Sequence, residues 1–222
     1  MNIAIAIDGP AGAGKSTIAK LAAKSLGFIY VDTGALYRTI GLCAYRNNIC
    51  SKDVDAIIKM LEDMKVELAF NENHEQIVLL NGEDVSSLIR TPEISMYASD
   101  VSAIPRVRAF LLDLQRNMAK TNNIIMDGRD IGTVVLPDAK IKIFLTASAK
   151  VRAKRRYDEL IEKGMDVKFE DVLSDVETRD YNDSHREVAP LKPADDSIIV
   201  DTSDLDLEQS VEKLLSIMKE RM

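Results

Sequence analysis

Short apolar runs alternate with amphipathic stretches along this chain, and the alternation predicts a β/α order for most of its length. Residues 2–7 are apolar from Ile3 onward, the pattern of a strand buried on both faces. Ser16–Ser25 reads as a helix stopped by Gly27, and Phe28–Val31 as a second short strand. A helix is predicted over Ala35–Asn47, with its start open to the turn residues Asp32-Thr33-Gly34. Another is predicted over Lys52–Met64, where Val54, Ile57, Ile58 and Leu61 share a face.

The rhythm then breaks. Val66–Phe70 alternates, Gln76–Leu80 is apolar, and Asn81-Gly82 is a two-residue turn signal, so a small antiparallel β unit is predicted near 66–85. Ser87–Val101 is less regular and helical in part. Beyond it come a helix over Pro105–Lys120, with Val107, Phe110, Leu111 and Leu114 on one face, and strands over Asn123–Met126 and Ile141–Leu145. Helices over Lys150–Lys163 (halted by Gly164) and Phe169–Asp183 follow, then a strand over Ser197–Val200 and a closing helix over Leu207–Lys219. This order predicts an α/β chain with a parallel doubly wound sheet and ligands at the carboxyl ends of its strands. Loops 9–15, 32–38 and 127–133 each follow a predicted strand, and the β insertion forms a lobe beside them.

The first of these loops carries specific chemistry. Gly9-Pro10-Ala11-Gly12-Ala13-Gly14-Lys15-Ser16-Thr17 reads G-x-x-x-x-G-K-S between a buried strand and a helix. Glycines permit the tight turn, and backbone N–H groups of Gly12 to Lys15 converge at a helix N-terminus, where the dipole favours anions. Lys15 is placed to reach the β- and γ-phosphates of a nucleoside triphosphate, and the Ser16 hydroxyl to ligate Mg²⁺. Asp127, at another strand end, is either the acidic partner that holds Mg²⁺-bound water or a turn residue before Gly128.

Composition removes several classes. The chain has 222 residues, 46% hydrophobic and 29% charged, enough for one α/β domain with an insertion. A formal charge of −7 argues against bulk nucleic-acid binding. No apolar run reaches the ~18 residues of a membrane span, and strand residues begin at once, without a signal peptide. Cys43 and Cys50 read as reduced thiols of a cytoplasmic protein. His74 and His185 lie too far apart in sequence to join them in a structural metal site. A monomer is the simplest expectation, since no heptad seam asks for a partner.

Arginines and acids bracket the predicted ligand face: Arg38, Arg106, Arg108, Arg129, Asp130, Arg179, Asp183 and Arg186. Singly, each reads as a surface charge; collectively they read as phosphate forks. The run Lys150–Arg156 is either a solvated helix face or a lid that brings Arg152, Arg155 and Arg156 onto a transferring phosphoryl group.

Several blocks together resemble the bacterial cytidylate (CMP/dCMP) kinases, in order over essentially the whole chain. They are Ile5–Thr17, Asp32–Arg38, Ile104–Arg108, Asp127–Thr133, Arg179-Asp180 and Val188–Leu191. The resemblance implies a P-loop nucleoside monophosphate kinase fold with a helical lid and a β-containing insert. It divides the chain into a core (1–35, 104–148 and 188–222), a nucleotide-binding lobe (36–103) and a lid (149–187). It implies phosphoryl transfer from Mg·ATP to CMP or dCMP, with Ser99, Arg108 and Asp130 on cytosine. Arg179 and Asp183 are implied to read the sugar, and Arg38, Arg129 and Arg186, with Tyr37 nearby, to hold the acceptor phosphate. Thr33 stands where a serine is also common in the family, and either supplies a hydroxyl. The base contacts make chemical sense, because cytosine presents an N4 amino donor that a carboxylate accepts, whereas uracil presents a carbonyl. Sugar contacts through the 3′-hydroxyl would tolerate 2′-deoxyribose. No general base is required, since the nucleophile is an anionic phosphate oxygen.

Two other classes fit less well. Another small-molecule kinase, such as a UMP/CMP, AMP or shikimate-type enzyme, would share the loop and lid. A regulatory GTPase would carry an N-K-x-D segment, for which Asn48-Ile49-Cys50-Ser51 and Asn71-Glu72-Asn73-His74 do not qualify.

Overall fold

A computed structural model describes residues 2–72 and 75–222 of the chain. His74, one of the two histidines weighed above as metal ligands, lies outside them. Along the chain the elements are β1 (Ala4–Asp8), α1 (Lys15–Leu26), β2 (Ile29–Asp32), α2 (Thr33–Arg46), α3 (Val54–Met60), β3 (Val66–Phe70), β4 (Gln76–Leu80), β5 (Glu83–Asp84) and α4 (Pro92–Ser102). They continue with α5 (Pro105–Thr121), β6 (Ile124–Gly128), β7 (Ile141–Thr146), α6 (Ala149–Glu162), α7 (Phe169–His185), β8 (Ile198–Asp201) and α8 (Leu207–Arg221). Two compact units result, one of Ile3–Phe28 with Ile125–Met222 and one of Ile29–Ile124.

The first unit is built on a parallel sheet. Strands stand in the order β6-β1-β7-β8, and β7 pairs in parallel with β1 on one side and β8 on the other. Ile5↔Ile141 and Ile7↔Ile143 fix one register, and Ile143↔Ile198 the other. Ile5, Ile7, Met126, Ile143 and Leu145 are fully or nearly fully buried, as helix-covered parallel strands require. Helices α1 and α8 pack together, and α6 packs on α7 around a small apolar cluster of Ala153, Leu160, Val172 and Val176.

The second unit has its own core, running from Ala35 through Ile57, Val78 and Ile89 to Leu111. Its antiparallel sheet β3-β4-β5 matches the predicted insertion, with Val66↔Leu80 and Phe70↔Gln76 setting the hairpin register. Asn81 (φ 51) and Gly82 (φ 86) both take the left-handed conformation that a two-residue hairpin turn needs. Helix starts carry side-chain caps where the sequence offers them: Asp32 on the Ala35 N–H, Asp53 on Ala56, Thr91 on Ile94.

Helix α2 begins at Thr33, inside the expected turn, because Asp32 caps it. Two local expectations need revision. The expected helix 52–64 is α3 followed by a 3-10 turn at Leu61–Asp63. Most informative, Ile131–Val135 forms a single π turn, closed by the Leu136 N–H on the Ile131 carbonyl at 2.7 Å. The β-branched pair Val134-Val135 gives no helical signal in the sequence. No helix among the described residues is long and apolar enough to cross a membrane.

Candidate active site

In the first unit, the segment from Gly9 to Gly14 turns tightly at the end of β1. Gly9 (φ 148), Gly12 (φ 75) and Gly14 (φ 86) occupy backbone regions that side chains avoid. A Cβ on Gly9 would stand 1.9 Å from the Leu145 carbonyl oxygen, so the loop hugs β7. Pro10, Ala11 and Ala13 complete the turn, and Lys15, Ser16 and Thr17 form the first turn of α1. The Lys15 ammonium is buried and donates to the Pro10 carbonyl at 2.7 Å. Burial, with the Arg129 charge adding to it, pushes its pKa down to about 7, against the pull of Asp127, Asp183 and Asp8.

Ser16 Oγ donates to Asp127 Oδ2 at 3.0 Å, joining the loop to the end of β6. This pair suits Mg²⁺, which binds through one or two protein oxygens and completes its shell with phosphate and water. No group of three or more His, Cys, Asp and Glu side chains converges among the described residues, so protein atoms alone do not form a metal cage.

Beyond β6 lies a cluster of alternating charge. Arg129 Nε donates to Asp183 Oδ2 at 2.7 Å, and Arg186 Nη2 lies 3.5 Å from Asp130 Oδ1. Burial depresses Arg129 and raises Asp183, but the pair outweighs it: the guanidinium is held above its ordinary range and the carboxyl below. Arg179, one turn before Asp183 on α7, is pulled down by burial and then by the Arg129 charge. Arg186 ends that helix, and its Nε donates to the Ala189 carbonyl at 2.7 Å. Ala189 sits at φ 51, a strained backbone at the edge of the cluster. The structure therefore brings Lys15, Asp127, Arg129, Asp130, Arg179, Asp183 and Arg186 into one charged region of one unit.

The arginines of α6 divide. Arg152 is 3% exposed and fully engaged: Nε on the Ala147 carbonyl (2.8 Å), Nη1 on the Ala11 carbonyl (3.0 Å) and Asp180 Oδ1 (2.9 Å), and Nη2 on Asp180 Oδ2. It clamps the phosphate loop to α6 and α7. Arg155 donates to the Thr202 carbonyl at 2.8 Å, and its Nη1 lies 3.9 Å from where a Gly14 Cβ would stand. Arg156 pairs with Glu159 on the helix surface at 2.8 Å. Arg152→Lys keeps the charge but loses the fork, so the variant should lose about 2–3 kcal/mol of stability in urea unfolding. Unchanged stability with a large fall in kcat would instead place Arg152 on the reacting phosphoryl group.

The second unit holds the remaining predicted residues. Arg38 Nη2 donates to Asp32 Oδ2 at 2.7 Å, and its buried Nε has no hydrogen-bond partner among the described residues. Such an orphan guanidinium donor is what an anion would satisfy. Arg108 is buried, donates to the Ser102 carbonyl at 3.2 Å, and stands 5.6 Å over the Tyr37 ring. Ser99 lies one turn earlier on α4, where its carbonyl accepts the Ser102 hydroxyl at 2.8 Å. Thr33 is buried at the start of α2. Gln76, which carries no motif signal, exchanges two side-chain hydrogen bonds with the Asp32 backbone, at 2.7 and 3.2 Å. The insert thus steadies the segment that carries Thr33 and Arg38. Asp8 is a further buried charge, and its signal in the sequence is a carboxylate that ends an otherwise apolar strand.

A family model described as cytidylate kinase matches residues 5–220. A cytidylate kinase of Caldicellulosiruptor saccharolyticus is 53% identical over 215 residues, covering 97% of this chain and 95% of that protein. One of Lactobacillus johnsonii is 50% identical over 217 residues, covering 98% and 94%. Among solved structures, a sugar kinase of a Janibacter species superposes with a TM-score of 0.50 at 14% identity, covering 99% of this chain and 95% of that one, a likeness of fold alone.

Proposed function

The chain belongs to the cytidylate kinase family, and from that membership we infer that it transfers the γ-phosphoryl group of ATP to CMP or dCMP, giving ADP and CDP or dCDP. It is an ATP-dependent phosphotransferase with a phosphate acceptor. The observation that carries the reading furthest is the junction in the first unit, where the loop lysine, the Ser16–Asp127 pair and the Arg129–Asp183 pair share one charged region.

Residue roles follow the chemistry. The loop from Gly9 to Thr17 cradles the ATP phosphates with backbone N–H groups, and Lys15 neutralises charge on the phosphoryl in transfer. Ser16 and Asp127 would hold the Mg²⁺ of Mg·ATP, which supplies charge neutralisation there. Arg38, Arg129 and Arg186 are assigned the CMP phosphate, and Tyr37 and Thr33 further contacts to the acceptor. Asp183 and Arg179 take the sugar, and Asp130, Ser99 and Arg108 the base. Asp130 is buried, so a hydrogen bond lost to the wrong base is not made good by water. Arg155 and Arg156 are the arginines of α6 assigned to the transferred phosphoryl.

A core of 1–35, 104–148 and 188–222, a nucleotide-binding lobe of 36–103 and a lid of 149–187 form the working parts. The separate apolar cluster between α6 and α7 supports the lid as a body that closes without unfolding. The enzyme is assigned to the cytoplasm as a monomer acting on free nucleotides, with no nucleic acid or membrane partner.

Phosphoryl transfer from Mg·ATP to CMP, dCMP, UMP, AMP and GMP, beside a control without acceptor, tests the reading. Turnover of CMP and dCMP should exceed the others by about 10² or more in kcat/KM. Preference for UMP or AMP would overturn the base assignment, and acceptor-independent ATP loss the enzyme assignment.

A further inference from the structure

We propose that Asp8 is a positioning residue for base recognition, because it caps the turn that follows Asp130 and so relieves Asp130 of capping it. The inference rests on the assignment of Asp130 to cytosine. Asp130 occupies the N-cap position of the π turn Ile131–Val135, where an aspartate ordinarily folds its carboxylate back onto the N–H of the second or third residue, here Gly132 or Thr133. It does not do so here: its φ is −146, its ψ is 28, and its side chain makes no cap hydrogen bond.

The Gly132 N–H goes to Asp8 instead, and the Ile131 N–H with it. Ile131 N–H donates to Asp8 Oδ1 and Gly132 N–H to Asp8 Oδ2, each at 2.7 Å. Asp8 comes from the end of β1, far from the turn in sequence, and is 4% exposed. The fit is close from the other side as well. A Cβ on Gly132 would stand 3.3 Å from Asp8 Oδ2 and 3.2 Å from Lys142 Cδ, so glycine gives the carboxylate its approach. Burial pushes the Asp8 pKa up to about 6 even against its two backbone donors, a cost kept at this position by the fold. With both donors occupied, the Asp130 carboxylate stays turned toward Arg186 rather than onto its own backbone.

The test compares Asp8→Asn, Asp130→Asn and the double variant by kcat/KM for CMP and for UMP. An asparagine accepts one N–H but turns its own amide hydrogens on the other, so one donor is released to Asp130. Asp8→Asn should narrow the CMP-to-UMP ratio by about tenfold while KM for ATP changes by less than about twofold. In the double variant the ratio should equal that of Asp130→Asn alone. A ratio unchanged in Asp8→Asn, or an Asp8→Asn effect that persists in full beside Asp130→Asn, overturns the proposal. If Asp130→Asn itself leaves the ratio unchanged, the base assignment falls and the proposal with it. Gly132→Ala disturbs the same contact from the turn and keeps Asp8 in place, so it serves if Asp8→Asn does not fold. It should narrow the ratio in the same direction, and a folded Gly132→Ala with the parent's ratio overturns the proposal too.

Discussion

Replacing Lys15 by alanine should lower kcat by about 10³-fold while the chain remains folded. The ammonium is 5% exposed, held 2.7 Å from the Pro10 carbonyl inside the loop, and crowded by the Arg129 charge. Burial lowers its pKa to about 7, well under the ordinary lysine value. The sign of the stability effect follows. A lysine whose pKa falls on folding costs stability at pH values below its folded pKa, where it must be protonated in place, and the cost fades as pH rises toward its unfolded value. Alanine removes that cost, so stability near pH 7 should hold or rise. The charge is thus kept despite the fold, which is expected of a group that acts on a polyanion. An incoming triphosphate favours the protonated lysine, so charge is present when transfer occurs. Urea unfolding and steady-state kinetics on the same preparation separate the two effects. A kcat within about tenfold of the parent's would remove Lys15 from the reaction.

What the sequence made legible was local. The strand–glycine–lysine–helix succession at 3–26 is specified by backbone sterics, and glycine conformations at 9, 12 and 14 follow from them. The hairpin at 66–85 was readable because Asn81-Gly82 leaves few alternatives. What stayed hidden was set by tertiary partners. Arg152 sits in a basic run with Arg155 and Arg156, and only the fold distinguishes the buried clamp on Ala11 and Asp180 from its half-buried neighbours. The π turn at 131–135 has no propensity signal, since its capping carboxylate arrives from β1. The phosphate role proposed for Arg38 came with the family resemblance, whereas its support from Asp32, and through Asp32 from Gln76, depends on where the insert packs.

Asp130→Asn should lower kcat/KM for CMP by about 10–10²-fold and narrow the preference over UMP by at least about tenfold. The carboxylate is 4% exposed and can only accept, so a cytosine N4 amino group is matched and a uracil carbonyl opposed. An amide offers either an oxygen or an NH₂ group, so it can serve both bases, which is why the preference should narrow. Asp130 also faces Arg186 at 3.5 Å, with side-chain exposures of 6% and 7%. Removing the charge therefore loosens a guanidinium assigned to the acceptor phosphate, and that loss falls equally on every nucleoside monophosphate. The two contributions separate in one experiment. If Asp130 reads the base, kcat/KM for CMP drops much further than kcat/KM for UMP, which bears only the loss at the phosphate. If Asp130 serves only to hold Arg186, both fall together and their ratio stays that of the parent. Arg186→Lys supplies the reference for the second case, since it weakens the phosphate fork without touching the acceptor–donor match at N4. Equal losses in Asp130→Asn and Arg186→Lys, with an unchanged ratio in each, would move base discrimination away from Asp130 and onto Ser99 and Arg108.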